Sequence, residues 1–283
     1  MTTQTRPAPR EATTPVPAVA ATSAPVATAA PRVVRPIPMT RLVGVELRKM
    51  FDTRAGLWLM ASVGIVAVLA TAAVILWAPD SAIDQETFSS AIGFPLSVIL
   101  PIIGLLSVTS EYSQRTGLTT YTLAPWRGRV ITAKMIVTLA IGVASMFLAL
   151  AVGAVGNLIG SAITGLDPVW NVTVTEFGQI VLANVLGMLI GFTLGVLLRS
   201  SAAAIVGYFV YSLVLPAALG ALATFQEWFR DLQPWVDVNY ATTRLFDSSM
   251  TTEYWQQLAV TTLVWLWIPL AIGLRAILRA EVK

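Results

Sequence analysis

The stretch SEYSQRTGLTTYTLAPWRGRV, residues 110–130, carries Glu111, Tyr112, Arg115, Thr116, Tyr121, Arg127 and Arg129, and Lys134 follows it closely. One carboxylate among guanidinium groups, phenols and hydroxyls suits docking of another polypeptide better than the breaking of a bond. The chain has no His and no Cys. That removes a His-dependent serine protease, an HExxH zinc protease, thiolate metal ligands and disulfides. Its three lysines follow Arg48, Ala133 and Val282, so the Gly-Lys of a P-loop is missing and no nucleotide site of that type is expected in this chain.

The elements that position this patch follow from composition. Of the 283 residues 56% are hydrophobic and 12% charged, which is not the balance of a soluble domain. Six apolar segments without Asp, Glu, Lys or Arg have the length of membrane-spanning helices: 57–77, 90–109, 135–157, 177–198, 202–224 and 257–274. An all-α integral membrane protein is therefore expected. Residues 1–38 hold eight of the sixteen prolines and read as a disordered cytoplasmic tail ahead of a six-span domain over 39–283.

Sixteen of the eighteen basic residues fall on one side of this arrangement. Eight precede the first span, Arg115, Arg127, Arg129 and Lys134 lie between spans two and three, Arg199 between four and five, and Arg275, Arg279 and Lys283 after six. The other side carries Asp80, Asp84, Glu86, Asp167, Glu176, Glu227, Asp231, Asp237, Asp247 and Glu253 against Arg230 and Arg244. Positive charge stays inside, so both termini and the 110–130 patch are expected in the cytoplasm. The protein is expected as a multi-pass component of the inner or plasma membrane, and its basic residues report topology rather than nucleic-acid binding.

Within the patch, 116–124 can form a short helix presenting Leu118, Tyr121 and Thr122 before Pro125 stops it. Ahead of the first span, residues 39–54 place Leu42, Val43, Leu47, Met50 and Phe51 near one helical face, with Arg41, Arg48, Lys49 and Arg54 largely elsewhere. This is the pattern of an amphipathic helix in the membrane surface, or of a plain positive anchor.

Span four carries Ala183, Gly187, Gly191 and Gly195 at four-residue spacing, a rail for close helix packing within one subunit or between two. Span three and the residues just past it have a related set, Ala149, Gly153, Gly156 and Gly160. Asn157, Gln179, Asn184, Tyr208 and Tyr211 could line a substrate path or bond to neighbouring helices. Residues 225–255 mix acids with Trp228, Phe229, Trp235, Tyr240, Phe246, Tyr254 and Trp255, suited to the outer headgroup region.

In the order and placement of Ser110-Glu111-Tyr112, the Thr-rich 116–123, Arg127-Gly128-Arg129 and Lys134, the chain resembles the permease subunits of type-2 ATP-binding-cassette exporters, in particular the bacterial six-span half-size kind. The likeness extends over about 39–283. It implies an N-terminal amphipathic helix, six spans, a cytoplasmic coupling helix between spans two and three, and an external helical segment between spans five and six. It also implies a second permease subunit, identical or not, and separate cytoplasmic ATPase subunits that bind ATP and Mg. The coupling residues would be Glu111, Tyr112, Arg115, Thr116, Leu118, Tyr121, Arg127 and Arg129. The family often has a Gly-Thr pair after the acidic-aromatic start, where this chain has Arg115-Thr116-Gly117. The rival readings are an ion-coupled carrier, which predicts an acid within the bilayer, a membrane scaffold or sensor, and a lipid-modifying membrane enzyme.

Overall fold

The computed structural model describes residues 37–113, 126–246 and 250–279, with Pro36–Lys283 as one unit. Among the described residues every regular element is helical. A short helix α1 (Met39–Asp52) precedes α2 (Arg54–Trp77), α3 (Gln85–Ser113), α4 (Arg127–Thr164), α5 (Val174–Leu198) and α6 (Ser201–Phe225). Two short helices, α7 (Glu227–Val236) and α8 (Val238–Thr243), lead to α9 (Thr252–Arg279). The six helices long and apolar enough to cross a membrane are α2 to α6 and α9, a multi-pass arrangement.

All six outrun their apolar segments. The sequence marks 135–157, but α4 runs for 38 residues, about 57 Å at the usual rise against a hydrocarbon core of about 30 Å. The i to i−4 hydrogen bonds of a helix do not depend on apolar side chains, so the helix continues through flanking polar residues after the apolar run stops. The ends are set by local chemistry. Thr53 caps α2 by accepting from the Gly56 N–H at 3.1 Å. Thr173 and Glu176 form a reciprocal capping box at the start of α5. Arg199 takes a left-handed conformation (φ 51°) to end α5, and Ser200 caps α6 directly after it.

The most deeply packed span is α5, whose backbone lies against that of α3. A Cβ added at Gly191 would collide with the Pro101 carbonyl oxygen, and one at Gly195 would stand 2.8 Å from the Leu105 oxygen. From the other side, a Cβ at Gly104 would reach the Met188 oxygen at 2.6 Å. The glycine rail is therefore a seam within the subunit. Its first member faces elsewhere, because four-residue spacing drifts by about 40° per step: Ala183 packs in a cluster with Val238, Ala241 and Leu245. On α4, Gly156 and Gly160 make room for Phe88, Thr71 and Ile83.

Prolines shape three spans. Pro101 interrupts α3, and a widened π-turn precedes Pro216 in α6 (Val210–Val214) and Pro269 in α9 (Leu263–Trp267). Each π-turn ends two residues before its proline, where the missing N–H would otherwise leave the ladder irregular.

Residues 226–246 do not simply cross the surface. The Trp265 Nε1–H donates to the Val236 oxygen at 2.7 Å, and the Asn239 side-chain amide donates to the Tyr211 oxygen at 3.3 Å. Tyr211 and Trp265 each lie about 20 Å of helix axis from Phe225 and Thr252, the ends of α6 and α9 that adjoin this segment. The α7–α8 turn thus reaches back alongside the spans, burying Val238, Ala241 and Leu245 against α5 and α9. It carries Asp237 with it, 2% exposed, capping α8 through the Asn239 and Tyr240 amides at 3.0 and 3.2 Å and accepting from Gln233 at 3.1 Å.

Candidate functional site

Four charged side chains from three helices meet where α1, the end of α3 and the start of α4 come together. Lys134 donates to Glu46 Oε2 at 2.5 Å, and Lys49 donates to Glu46 Oε1 at 2.7 Å. Glu111 Oε1 lies 2.9 Å from both ammonium groups. Each carboxylate bridges both cations, so the ring alternates in sign and carries no net charge. The side chains of Lys134, Glu46 and Glu111 are only 6%, 8% and 10% exposed. Charges at that burial persist only when paired, and removing one partner strands the others.

Local structure explains how α1 delivers Glu46. The helix lies on α2 and α4, and Glu46 is the residue of α1 that is fully covered. Thr53, in an extended conformation, breaks the chain between α1 and α2. At Gly56 any side chain would collide with the Met50 oxygen and stand 2.8 Å from the Thr53 hydroxyl, so glycine permits the first turn of α2 to close against the end of α1. Burial on its own would lower the Lys49 pKa, but hydrogen bonds to Glu46 and Glu111 and the attraction of both carboxylates outweigh it and hold the ammonium above its ordinary 10.5.

A cavity of about 320 Å³ opens beside the cluster. The four charged groups, Thr53, Ser107 and Ser110 supply its polar lining, and Leu59, Met60, Ile103, Leu106 and Val137 are among its apolar lining residues.

Of the residues expected to couple to a partner, Glu111 joins the charge ring. Tyr112, next to it, packs on the apolar cluster of Val108, Ile131, Phe192 and Ile277. Arg127 donates to the Ile277 oxygen at 3.2 Å, tying the start of α4 to the end of α9. Arg129 is half-buried on the first turn of α4. Arg115, Thr116, Leu118 and Tyr121 lie outside the described residues, as does the expected helix over 116–124. The two ends of that segment are nevertheless joined, since Glu111 and Lys134 bridge α3 to α4.

Of the polar residues considered for a substrate path, Asn157, Asn184, Tyr208 and Tyr211 each have a partner within the bundle. Asn157 is fully buried and donates to the Val169 oxygen at 2.9 Å, holding the α4–α5 connection. Asn184 donates to its own helix at Ile180. The rings of Tyr208 and Tyr211 are 6.4 Å apart, and the Tyr208 hydroxyl donates to the Ser97 oxygen.

Sequence reading missed Glu46, although a signal was present. It stands four residues from both Leu42 and Met50, an acid on the apolar face of α1, and such an acid requires a cation in whatever that face packs against. Neither protein-family models nor curated proteins give a match to this sequence.

Proposed function

We propose that this chain is the membrane-spanning subunit of an ATP-driven exporter, working as a pair of such subunits with two cytoplasmic ATPases and moving an amphipathic or lipid-like compound. The observation that carries this reading is the charge ring of Glu46, Lys49, Glu111 and Lys134. It clamps three helices at the point where residues 114–125 leave the α3 end and return at α4. A partner that moves this segment would move α1, α3 and α4 together, which is what a lever between a soluble motor and a membrane path requires. ATP and Mg would act in the partner, whose closure shifts the permease halves between states that bind substrate differently. In this reading α1 lies in the cytoplasmic surface, 116–124 docks on the ATPase, and α7–α8 cap the outer end of the path.

The test is purification of the tagged chain in mild detergent, with mass spectrometry and an ATPase assay of what accompanies it. A P-loop ATPase that co-purifies, and is lost when 116–123 is scrambled, is the expected result. A stable chain that repeatedly emerges alone and without ATPase activity sinks the proposal.

One observation favours a second reading. Asp237 is a buried acid held alongside the spans, the feature that an ion-coupled carrier needs. That carrier would transport in vesicles without ATP, driven by an ion gradient, and Asp237→Asn would abolish the flux. No ATP-independent flux removes this alternative.

A further inference from the structure

The cavity at the charge ring has the two-part character of an amphiphile site. Its apolar part is formed by Leu59 and Met60 of α2, Ile103 and Leu106 of α3 and Val137 of α4. Leu106 and Leu59 stand one to two helical turns, about 8 Å, from Glu111 and Thr53, with Ser107 and Ser110 of α3 on the same lining. At about 320 Å³ the space is at the lower end of small-molecule pockets, which run from about 300 to 1,000 Å³. It takes a polar head and the first part of one chain, leaving the remainder in the bilayer.

The charge arrangement selects the sign of the head. Both oxygens of Glu46 and Oε1 of Glu111 already accept from lysines. Each ammonium has three N–H donors and makes two contacts within the ring. Lys49 is the outward-facing member, its side chain 40% exposed while the carboxylates are 10% or less. The exposed surface of the same stretch adds Arg41, Arg48 and Arg54 against Asp52. Each ammonium thus keeps a donor beyond its ring contacts, Ser107 and Ser110 also line the cavity, and the exposed charges of this stretch are three cations against one acid.

We infer that this cavity binds an anionic glycerophospholipid of the leaflet in which α1 lies, with its phosphate on Lys49 and one acyl chain along Met60 and Leu106. The bound lipid fills the angle between α1 and α2, so its occupancy steadies α1 against the bundle. The inference is independent of the exporter reading, since it concerns the chain alone and is tested without any ATPase.

The experiment is native mass spectrometry of the full chain in detergent, titrated with phosphatidylglycerol, phosphatidylcholine and glycerol phosphate. A phosphatidylglycerol carrying a photoactivatable group in its acyl chain maps the contact. Charge-assisted hydrogen bonds contribute enough for Lys49→Gln to weaken phosphatidylglycerol binding at least about tenfold. Met60→Trp fills the apolar part without touching the ring and is expected to weaken binding similarly, while Val155→Trp, on an exposed face of α4, leaves it unchanged. Crosslinks are expected on α2 near Met60 and on α3 near Leu106. Unchanged affinity in Met60→Trp, or equal binding of phosphatidylcholine that Lys49→Gln does not alter, overturns the inference. Glycerol phosphate binding as tightly as the lipid would overturn the lipid assignment in favour of a soluble anion.

Discussion

The Tyr208 hydroxyl donates to the Ser97 carbonyl at 2.9 Å, and Ser97 is the residue whose helical partner, four positions on, is Pro101. Proline has no N–H to offer, so the α3 ladder leaves this oxygen open, and α6 supplies the missing donor from its side. The same logic recurs one turn along α6. Within the π-turn, the Leu215 N–H is taken by the Val210 oxygen, so the next oxygen, that of Tyr211, would need the N–H of Pro216. The Asn239 amide donates to it instead. Two prolines thus create two acceptors, and each becomes a point of attachment between elements.

Removing the first of these donors tests the relationship. Tyr208→Phe should lower stability by about 1 kcal/mol, the scale of a polar contact between membrane helices. With Pro101→Ala in place, residue 101 can satisfy Ser97 itself, and Tyr208→Phe should then cost less. A double-mutant cycle of thermal unfolding in detergent measures this. Equal costs in both backgrounds would mean that the hydroxyl is not compensating for the proline.

The charge ring gives the largest expected effects. Glu46→Gln or Lys134→Met alone strands a buried charge and should destabilise by about 3 kcal/mol. Glu46→Leu with Lys134→Met removes one charge of each sign, keeps the Lys49–Glu111 pair and should be markedly more stable than either single variant. Chemical unfolding followed by Trp fluorescence checks both; additive losses would show that the ring is not acting as a unit.

Lys49 adds a pH dependence with a defined sign. Its folded pKa is raised above 10.5, so its contribution is fully present below that value and is lost as pH rises through the higher folded pKa. The stability gap between the wild-type chain and Lys49→Gln should therefore be constant from about pH 7 to about pH 10, above the range in which Glu111 titrates, and narrow at higher pH. Melting curves in an alkaline series test this, and a gap that widens with pH contradicts it.

The six spans were legible because uncharged apolar runs of this length have few other fates. The α3–α5 seam was legible in part: glycines at 187, 191 and 195 announce close approach, but only Pro101 and Leu105 reveal with what. Other features were hidden for physical reasons. Acids and aromatics in 225–255 suit a surface segment and a tucked one equally well, because Asp237 finds its hydrogen-bond donors in amides of its own turn. Glu46 escaped because its cations come from one helical turn away and from Lys134, 88 residues on. The substrate-path candidates were chosen as polar residues in apolar surroundings; the Asn157 and Asn184 amide nitrogens donate locally to Val169 and Ile180, while the side-chain oxygens of both, and of Gln179, are buried without a partner among the described residues.

Close packing at the seam predicts a contrast between two neighbouring glycines. Gly191→Ala drives a methyl group into the Pro101 backbone and should cost about 1–3 kcal/mol by overpacking. At Gly187 the added carbon would meet Pro101 Cγ at 3.6 Å, an ordinary contact, so Gly187→Ala should be close to neutral. Melting temperatures that fall equally in both variants would contradict the seam geometry.

The charge distribution makes a prediction about sidedness that the absence of cysteine makes easy to test. Ser81 lies exposed in the turn between α2 and α3, and Ser200 lies exposed between α5 and α6. By the positive-inside rule Arg199 would put the second turn in the cytoplasm, and the first turn, which has no Lys or Arg, would then face outside. Ser81→Cys should react with a membrane-impermeant maleimide in intact cells, and Ser200→Cys only after permeabilisation. The reverse pattern would invert the orientation. It would move the Glu46–Lys134 ring, and with it residues 114–125, to the face away from cytoplasmic ATP, so the exporter reading and the positive-inside assignment stand or fall on one labelling experiment.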